Sequence, residues 1–224
     1  MDPNRRVLGH QEERAMLMRA SPRRGFTVIE AMVVVTILGV MIAWGVPAFA
    51  TWMDNIRIRG TAESILSGLQ YSRAEATARN ASVRFQLVTD LSATCQRTSI
   101  GSNWVVDLVD AADDSVEGNC QLNPINDTPA APSILQKKPA RDGTGSTRVE
   151  GSAANRAITE VVFNGLGRLT PVPSGEIEFA VTGANTNQCR ESGGDLTCLR
   201  VLVSPAGQVR MCSDSVPIGD PQRC

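Results

Sequence analysis

Glu30 is the only charged residue in a long apolar stretch that begins at Phe26 and ends at Ala50. A carboxylate inside a membrane-length helix costs about 2.5–3.5 kcal/mol on insertion scales, so it usually has a partner. An amine would be such a partner, because opposite charges that pair in a low-dielectric medium offset each other's loss of hydration. Glu30 therefore indicates charge pairing near the start of this stretch, and the alternative is a side chain that only snorkels to the interface.

Six cysteines form the second group of reactive side chains, and all of them follow the apolar stretch. No two have CxxC spacing, which argues against a thioredoxin-like redox site and a zinc ribbon. Outside the cytoplasm they would persist as disulfides, and six cysteines allow 15 pairings. The alternative leaves one or two thiols free. Local loop closure favours the pairs Cys95–Cys120, Cys189–Cys198 and Cys212–Cys224.

Catalytic chemistry has little support in the rest of the sequence. His10 is the only histidine and precedes the apolar stretch, so the remainder has no Ser-His-Asp or Cys-His site and no histidine metal ligand. Asp110, Asp113, Asp114 and Glu117 offer oxygen ligands for calcium, but their spacing does not match an EF-hand, and a solvated acidic loop is the better interpretation. We therefore expect no catalytic residues, no cofactor and no metal.

The apolar stretch is long enough to cross a membrane. About 20 residues at 1.5 Å per residue span a hydrocarbon core of roughly 30 Å, and Ala31–Ala50 meets that length. Residues 1–25 hold six arginines and three acidic residues, which places the N-terminus in the cytoplasm by the positive-inside rule. The alternative is a secretory signal peptide cut after Ala50, which would release a soluble exported β-domain. Glu30 argues against it, because an ordinary signal peptide has no use for a carboxylate there.

The segment Arg23-Arg24-Gly25-Phe26-Thr27-Val28-Ile29-Glu30, followed by an apolar helix with Pro47, resembles type IV prepilins and type II secretion pseudopilins. In that family a prepilin peptidase cuts between the Gly and the Phe and N-methylates the new N-terminal Phe. The resemblance implies cleavage between Gly25 and Phe26, N-methylation of Phe26, and roles for Glu30 and Pro47 in assembly and register. A leader of 25 residues is long for this family, and translation from Met16 or Met18 instead of Met1 would shorten it.

Hydrophobic periodicity predicts the elements that must carry these residues. Apolar positions from Ile58 to Ala76 recur at steps of three and four, which extends the helix from Phe26 to about Arg79. After Asn80 the period becomes two, as in strands. The predicted fold class is α+β, a type IV pilin-like fold with a long N-terminal helix and an antiparallel β-sheet or β-sandwich head. The predicted strands are Val83–Leu87, Trp104–Val109, Glu160–Phe163, Glu176–Thr182, Thr197–Ser204 and Gln208–Cys212.

Three segments of the head resemble the H-type pseudopilins and T/U-type minor fimbrial pilins (GspH/FimT). They are Tyr71–Ala76 at the end of the helix, Phe163–Arg168 and Val203–Arg210. Residues from about 110 to 155 lie outside the resemblance, and their polar composition predicts a long loop region with at most a short hairpin. The predicted organisation is a leader at 1–25, a transmembrane and polymerisation helix at 26–50, its amphipathic continuation at 51–80 and a β-rich head at 81–224.

The resemblance implies a non-catalytic minor pilin or pseudopilin of a type II secretion pseudopilus or a type IV pilus, at or near the tip and aiding assembly. It implies as partners other major and minor pilins or pseudopilins, a prepilin peptidase, an inner-membrane assembly platform and membrane lipid. The implied location is the inner membrane, crossed once with the N-terminus in the cytoplasm and the head in the periplasm, and later the filament.

A DNA-binding minor pilin of natural transformation is the alternative function. Some T-type relatives bind DNA through a Gly-Arg-x-Arg motif, but here Gly207-Gln208-Val209-Arg210 has Gln208 in place of the first arginine and keeps the second, Arg210, which Arg168 and Arg200 would have to flank. The chain after residue 25 keeps 16 of the 22 basic residues and 20 of the 23 acidic ones. This negative balance disfavours binding to a polyanion.

Overall fold

The computed structural model describes residues 25–109, 116–124, 133–140, 147–184 and 188–224. The chain divides into two compact units, of which the first ends at Trp44 and the second is Gly45–Cys224. Helix α1, Val28–Arg79, begins in the first unit and continues in the second. The predicted α+β class is confirmed, because the helix is followed by β1 (Val83–Val88), β2 (Asn103–Leu108), β3 (Ile134–Lys138), β4 (Thr147–Ala153), β5 (Arg156–Ala157), β6 (Glu160–Phe163), β7 (Ile177–Gly183), β8 (Leu199–Val203) and β9 (Val209–Cys212).

The strands of the second unit form two antiparallel sheets. The first sheet has the order β3-β2-β1-β6 and the second has the order β5-β4-β7-β8-β9. One stripe of α1 packs against both sheets, and its five fully buried apolar members are Ile58, Ala62, Ile65, Leu69 and Ala76. The helical period of three and four residues therefore gives the buried face that the sequence predicts.

Gly68 and Ser64 set the distance between α1 and the first sheet. A Cβ atom at Gly68 would lie 2.8 Å from Phe85 Cε2 and 3.1 Å from the Trp104 ring, so only glycine leaves room for these aromatic side chains. One turn earlier, Trp104 Nε1 donates a hydrogen bond to Ser64 Oγ at 3.0 Å. The indole therefore satisfies its one donor while its ring fills the core.

The outer face of the first sheet carries a second, smaller core. Val88, Val105 and Ile134 are buried there against Val116 and the Cys95–Cys120 disulfide. Residues 116–122 form the covering segment of this face. Lys137 in β3 holds the covering segment in place, because its Nζ donates to the carbonyl oxygens of residues 120, 121 and 122 at 2.8–2.9 Å. Both faces of the first sheet are therefore covered by protein.

A buried polar group joins β1 and β2 on this outer face. The Asp107 carboxylate is fully buried and accepts hydrogen bonds from Arg84 and from Gln86 Nε2, the latter at 2.6 Å. Arg97 Nη1 lies 3.1 Å from Glu160 Oε2 in β6, and its Nε lies 3.4 Å from Glu117 Oε1. The backbone N–H of Arg97 donates to that same Glu117 oxygen and lowers the pKa of the carboxyl. These charged contacts hold the covering segment on the sheet.

The prediction of a long loop region at about 110–155 is wrong for two segments, which form the strands β3 and β4. β3 pairs with β2, and β4 pairs with β7 along its full length. The strand β4 is difficult to predict from the sequence because its inward residues are Thr147, Val149 and Gly151, of which only Val149 is a large apolar residue. A Cβ atom at Gly151 would lie 2.8 Å from the Ile158 carbonyl oxygen and 3.2 Å from Phe179, so the small residue reflects close packing and not exposure.

Replacing Gly68 with valine is expected to destabilise the head. The new side chain would force α1 away from Phe85 and Trp104, and overpacking of this kind costs about 1–3 kcal/mol. We expect the free energy of unfolding, measured by urea titration of the full chain in detergent micelles, to fall by that amount. Ser67→Val is the matched control, because it adds the same side chain on the exposed face of the same helix. Equal losses in the two variants would contradict the close approach.

Candidate processing and assembly site

Gly25 and Phe26 precede α1 and are open to solvent. Phe26 is 84% exposed, and a Cβ atom built on Gly25 would have no other atom within 4 Å. Neither residue belongs to the helix, which begins at Val28. The peptide bond predicted for cleavage therefore lies in accessible, non-helical backbone, which is the form of backbone that a protease can bind in an extended conformation.

Thr27 caps the start of α1. Its Oγ1 accepts a hydrogen bond from the Glu30 backbone N–H at 3.3 Å, and its carbonyl oxygen accepts the first helical bond from Ala31 N at 3.1 Å. Thr27 and Glu30 thus occupy the N-cap and N3 positions of the capping pattern Ser/Thr-x-x-Glu. The Glu30 carboxylate lies in the first helical turn, where the aligned peptide dipoles favour negative charge. The capping pattern is readable in the sequence, but the predictions from sequence did not include it.

The first part of α1 has nothing within its own unit to bury its apolar side chains. From Val28 to Trp44 the large apolar residues are each 47–81% exposed, and they have no polar face opposite them. The helix contains an 18-residue window with a mean hydropathy of 2.2, and among the described residues it is the one helix that is long and apolar enough to cross a membrane. Pro47 lies within α1.

In the head, the segments that carry the family resemblance lie against one another. Asn80 ends α1 with φ of 49°, and the Ala81 N–H donates to the Ala76 carbonyl oxygen at 3.2 Å, which is the closing bond of a Schellman motif. A Cβ atom at Gly165 would lie 2.5 Å from Asn80 Oδ1, and one at Gly167 would lie 3.0 Å from Thr77 Cγ2. The turn after β6 therefore fits the end of the helix only with glycines.

Gly207 completes this contact from the second sheet. It has φ of 81°, and a Cβ atom there would lie 1.9 Å from the Gly167 carbonyl oxygen. The Leu169 N–H donates to the Pro205 carbonyl oxygen at 3.3 Å across the same contact. We call this contact the glycine junction; it consists of Gly165, Gly167 and Gly207 with Arg73, Thr77 and Asn80 at the end of α1.

The segment Tyr71–Ala76 contributes Arg73 to the glycine junction. Ser72 is fully buried and donates to the Gly68 carbonyl oxygen at 2.8 Å, which allows a polar side chain to face the core. Glu75 Oε2 lies 2.6 Å from Arg79 Nε one turn later. Burial raises the pKa of Tyr71, and the neighbouring Glu75 carboxylate raises it further. The residues of Tyr71–Ala76 therefore serve the packing of α1 and the contacts at its end.

The head contains three disulfides, which are the pairs that local loop closure favours: Cys95–Cys120, Cys189–Cys198 and Cys212–Cys224. The paired cysteines are 25, 9 and 12 residues apart in the sequence, respectively. The last one ties the C-terminal segment beside β9, where the Ser213 N–H donates to the Gln222 carbonyl oxygen at 2.9 Å. Each disulfide would contribute about 2–4 kcal/mol by restricting the unfolded chain.

Two of the three basic residues considered for DNA binding, Arg200 and Arg210, lie next to carboxylates. Arg210 Nη2 lies 3.4 Å from Glu176 Oε2. Arg200 contacts Glu178 at 3.3 Å and Asp214 at 2.6 Å. A phosphate backbone would have to compete with these acidic groups, so the arrangement does not favour a nucleic-acid surface on β8 and β9.

The other sequence candidates do not assemble into a ligand site within the described residues. Asp110, Asp113 and Asp114 lie outside those residues, and Glu117 is engaged by Arg97. Cys189, Glu191 and Cys198 have potential ligand atoms within 4.8 Å of one another. The two sulfur atoms are bonded to each other, so this group offers no thiolate to a metal.

Replacing Gly207 with alanine is expected to open the glycine junction. The methyl group would clash with the Gly167 carbonyl oxygen, and the left-handed backbone adds about 1–2 kcal/mol for any L side chain. Gly193→Ala is the matched control, because Gly193 has φ of 84° but a Cβ atom there would have no other atom within 4 Å. We expect a clearly larger drop in melting temperature for Gly207→Ala in the full chain. Equal drops would show that backbone strain alone is responsible.

Two family models match the sequence. The type II transport protein GspH model matches residues 61–207, and the prokaryotic N-terminal methylation motif matches residues 21–46. The first match extends from the buried half of α1 through both sheets to Gly207 in the glycine junction, and the second contains Gly25, Phe26 and Glu30. No curated protein sequence matches the chain.

Solved structures with similar architecture include the type IV minor pilin FimU of Pseudomonas aeruginosa strain PAO1 and the minor pseudopilin EpsH of the Vibrio cholerae type 2 secretion system. FimU is 18% identical with a TM-score of 0.47, and the alignment covers 77% of this chain and 98% of FimU. EpsH is 10% identical with a TM-score of 0.42, and the alignment covers 71% of this chain and 99% of EpsH. Because the GspH model matches more than half of the sequence, including most of the head, this chain belongs to the type II transport protein GspH family.

Proposed function

We propose that this protein is a non-catalytic minor pilin or pseudopilin subunit of a type II secretion pseudopilus or a type IV pilus. In this proposal the apolar part of α1 holds the precursor in the inner membrane, and a prepilin peptidase cuts between Gly25 and Phe26. The processed subunit then joins other pilins through α1, on an inner-membrane assembly platform, at or near the filament tip.

The observation that carries the proposal is the exposed apolar start of α1 directly behind an accessible Gly25–Phe26 bond. An apolar helix that is exposed around its whole circumference is stable only in lipid or against other apolar helices. The N-terminal methylation motif covers this segment, and the GspH family accounts for the head. A subunit that passes from a membrane to a helical filament core would use the same apolar surface in both places.

The Gly25 backbone suits cleavage because no side chain obstructs it. A glycine adopts the conformation that an enzyme imposes more readily than other residues do, and no neighbouring atom lies near its absent Cβ. Helix α1 begins at Val28, directly after the Thr27 cap. Cleavage would therefore leave the helix start intact and would place a new α-amine on Phe26, immediately before the cap.

Glu30 would then have two electrostatic partners. Its position in the first turn gives it the favourable end of the helix dipole, worth about 0.3–1 kcal/mol at exposed sites. The stronger partner is an α-amine, its own or that of a neighbouring subunit, because an ion pair in lipid-like surroundings is weakly screened. Pairing with a neighbour would fix the register of one α1 against the next, since a displaced carboxylate would remain buried and unpaired.

Substitutions at Thr27 and Glu30 separate charge pairing from helix capping. Glu30→Gln keeps a side chain that can complete the capping pattern but removes the charge, whereas Thr27→Ala removes the cap and keeps the charge. We expect Glu30→Gln and Glu30→Ala to be cleaved normally but to be strongly depleted from filaments. Thr27→Ala is expected to lose about 1 kcal/mol of helix stability and to be incorporated. The measurement is the ratio of filament-bound to membrane-bound subunit on quantitative immunoblots.

Two outcomes would contradict this role of Glu30. Normal incorporation of Glu30→Gln would show that the charge is dispensable and that the side chain acts by hydrogen bonding. Failure of cleavage in the Glu30 variants, with normal incorporation of whatever is cleaved, would assign the carboxylate to recognition by the peptidase. Equal amounts of folded, disulfide-bonded head in all variants are the control for expression.

A further inference from the structure

A short apolar stripe lies on α1 where the membrane-length stretch ends. Phe49, Trp52 and Ile56 are spaced at three and four residues, so they share one face of the helix. They are 61%, 56% and 46% exposed, and the Phe49 and Trp52 rings lie 5.6 Å apart. We call Phe49, Trp52 and Ile56 the aromatic stripe. The head leaves it uncovered although the same turns of the helix contact the head on their other side.

The opposite side of these turns is polar and fixed to the head. The Thr197 N–H donates to Asn55 Oδ1 at 2.7 Å. Thr51 and Asp54 line a small cleft together with Gln188 and with Asp195, which belongs to the loop that the Cys189–Cys198 disulfide closes. Asp54 also pairs with Arg57 at 3.0 Å. The contacts of these turns with the head therefore lie on their polar side, and the aromatic stripe faces away from the head.

The stripe ends abruptly further along the helix. The next residues on the same exposed face are Arg59 and Glu63, which form an ion pair at 2.9 Å, followed by Ser67 and Gln70. A seam for packing against another helix would continue along this face. A stripe about two turns long, with a tryptophan at its centre and charges beyond it, has the chemistry of a membrane–water interface, where amphipathic aromatic rings are enriched.

The position along the helix agrees with this chemistry. If Ala31–Ala50 spans the hydrocarbon core, a rise of 1.5 Å per residue puts Trp52 about 3 Å and Ile56 about 9 Å beyond its edge. The interfacial layer on each side of the core is about 5–8 Å thick. Phe49 thus falls at the edge of the core and Trp52 within that layer, whereas Ile56 reaches just past the layer and the Arg59–Glu63 pair lies further out.

We infer that the aromatic stripe binds the lipid headgroup–acyl boundary and sets the depth at which the subunit rests in the membrane on the head side of its span. The inference rests on the proposed function only in that α1 is inserted in a bilayer. It also assigns a place to the Cys189–Cys198 loop, which contacts α1 at the same level. Its exposed residues Arg190, Glu191 and Asp195 would lie among the polar headgroups.

Fluorescence quenching by brominated lipids tests the depth of Trp52. The full chain is reconstituted into phosphatidylcholine vesicles whose acyl chains are brominated either near the headgroup or near the chain end. Trp44→Phe retains Trp52 and Trp104, and Trp44→Phe/Trp52→Phe retains only Trp104, which is buried in the head. The difference between the two proteins reports Trp52. We expect this difference signal to be quenched by the shallow bromines more than by the deep ones.

A tryptophan placed further along the same face supplies the control. Ser67→Trp in the background without Trp44 and Trp52 lies about 22 Å beyond Trp52 along the helix, so we expect quenching by neither lipid. Quenching of the Trp52 signal by aqueous acrylamide but by neither lipid would overturn the inference, and so would stronger quenching by the deep bromines. If the chain fails to float with the vesicles, membrane anchoring fails and the inference with it; if it floats with Trp52 in water, only the inference fails.

Discussion

One helix has to satisfy two different surroundings, and the rest of the molecule depends on that constraint. From Ile58 to Ala76, α1 buries one stripe against two sheets and exposes polar residues on the other side. From Val28 to Trp44 it has no polar face and no protein in its own unit to cover it. The free energy of hydrating that surface is removed only by lipid or by similar helices, at about 25 cal/mol per Å² of apolar area. Membrane anchoring and filament assembly are both ways of covering it.

The head is built to hold the other end of the helix rigidly. Gly68 allows α1 to approach Phe85 and Trp104, and the glycine junction fits the turns after β6 and β8 around the helix end. The second core on the outer face of the first sheet, with its disulfide and the buried Asp107 carboxylate, holds residues 116–122 against that sheet. Together these contacts fix the part of α1 that packs against the two sheets.

The sequence predicts the parts whose pattern is local. The periodicity of α1 gives its end at Arg79 correctly, and six strands are predicted where strong alternation occurs. The strand β4 is missed because most of its inward residues are small. Gly151 has to be small because Ile158 and Phe179 pack closely against it, and the alternation within the strand does not reveal that contact. The glycine junction is equally hidden, since it depends on contacts between residues that are about 40 to 94 positions apart in the sequence. At the N-terminus the chemistry of Gly25, Phe26 and Glu30 is readable directly, because no tertiary contact is required to interpret it.

The mature N-terminus is the most direct test of the central claim, that this chain is processed as a pilin and uses α1 from its first residues. Protein recovered from membranes of cells that contain a prepilin peptidase can be digested and its N-terminal peptide identified by mass spectrometry. We expect a peptide that begins at Phe26 and carries one methyl group on its α-amine. A peptide that begins at Thr51 would contradict it, because cleavage there removes Glu30 and the whole apolar part of α1.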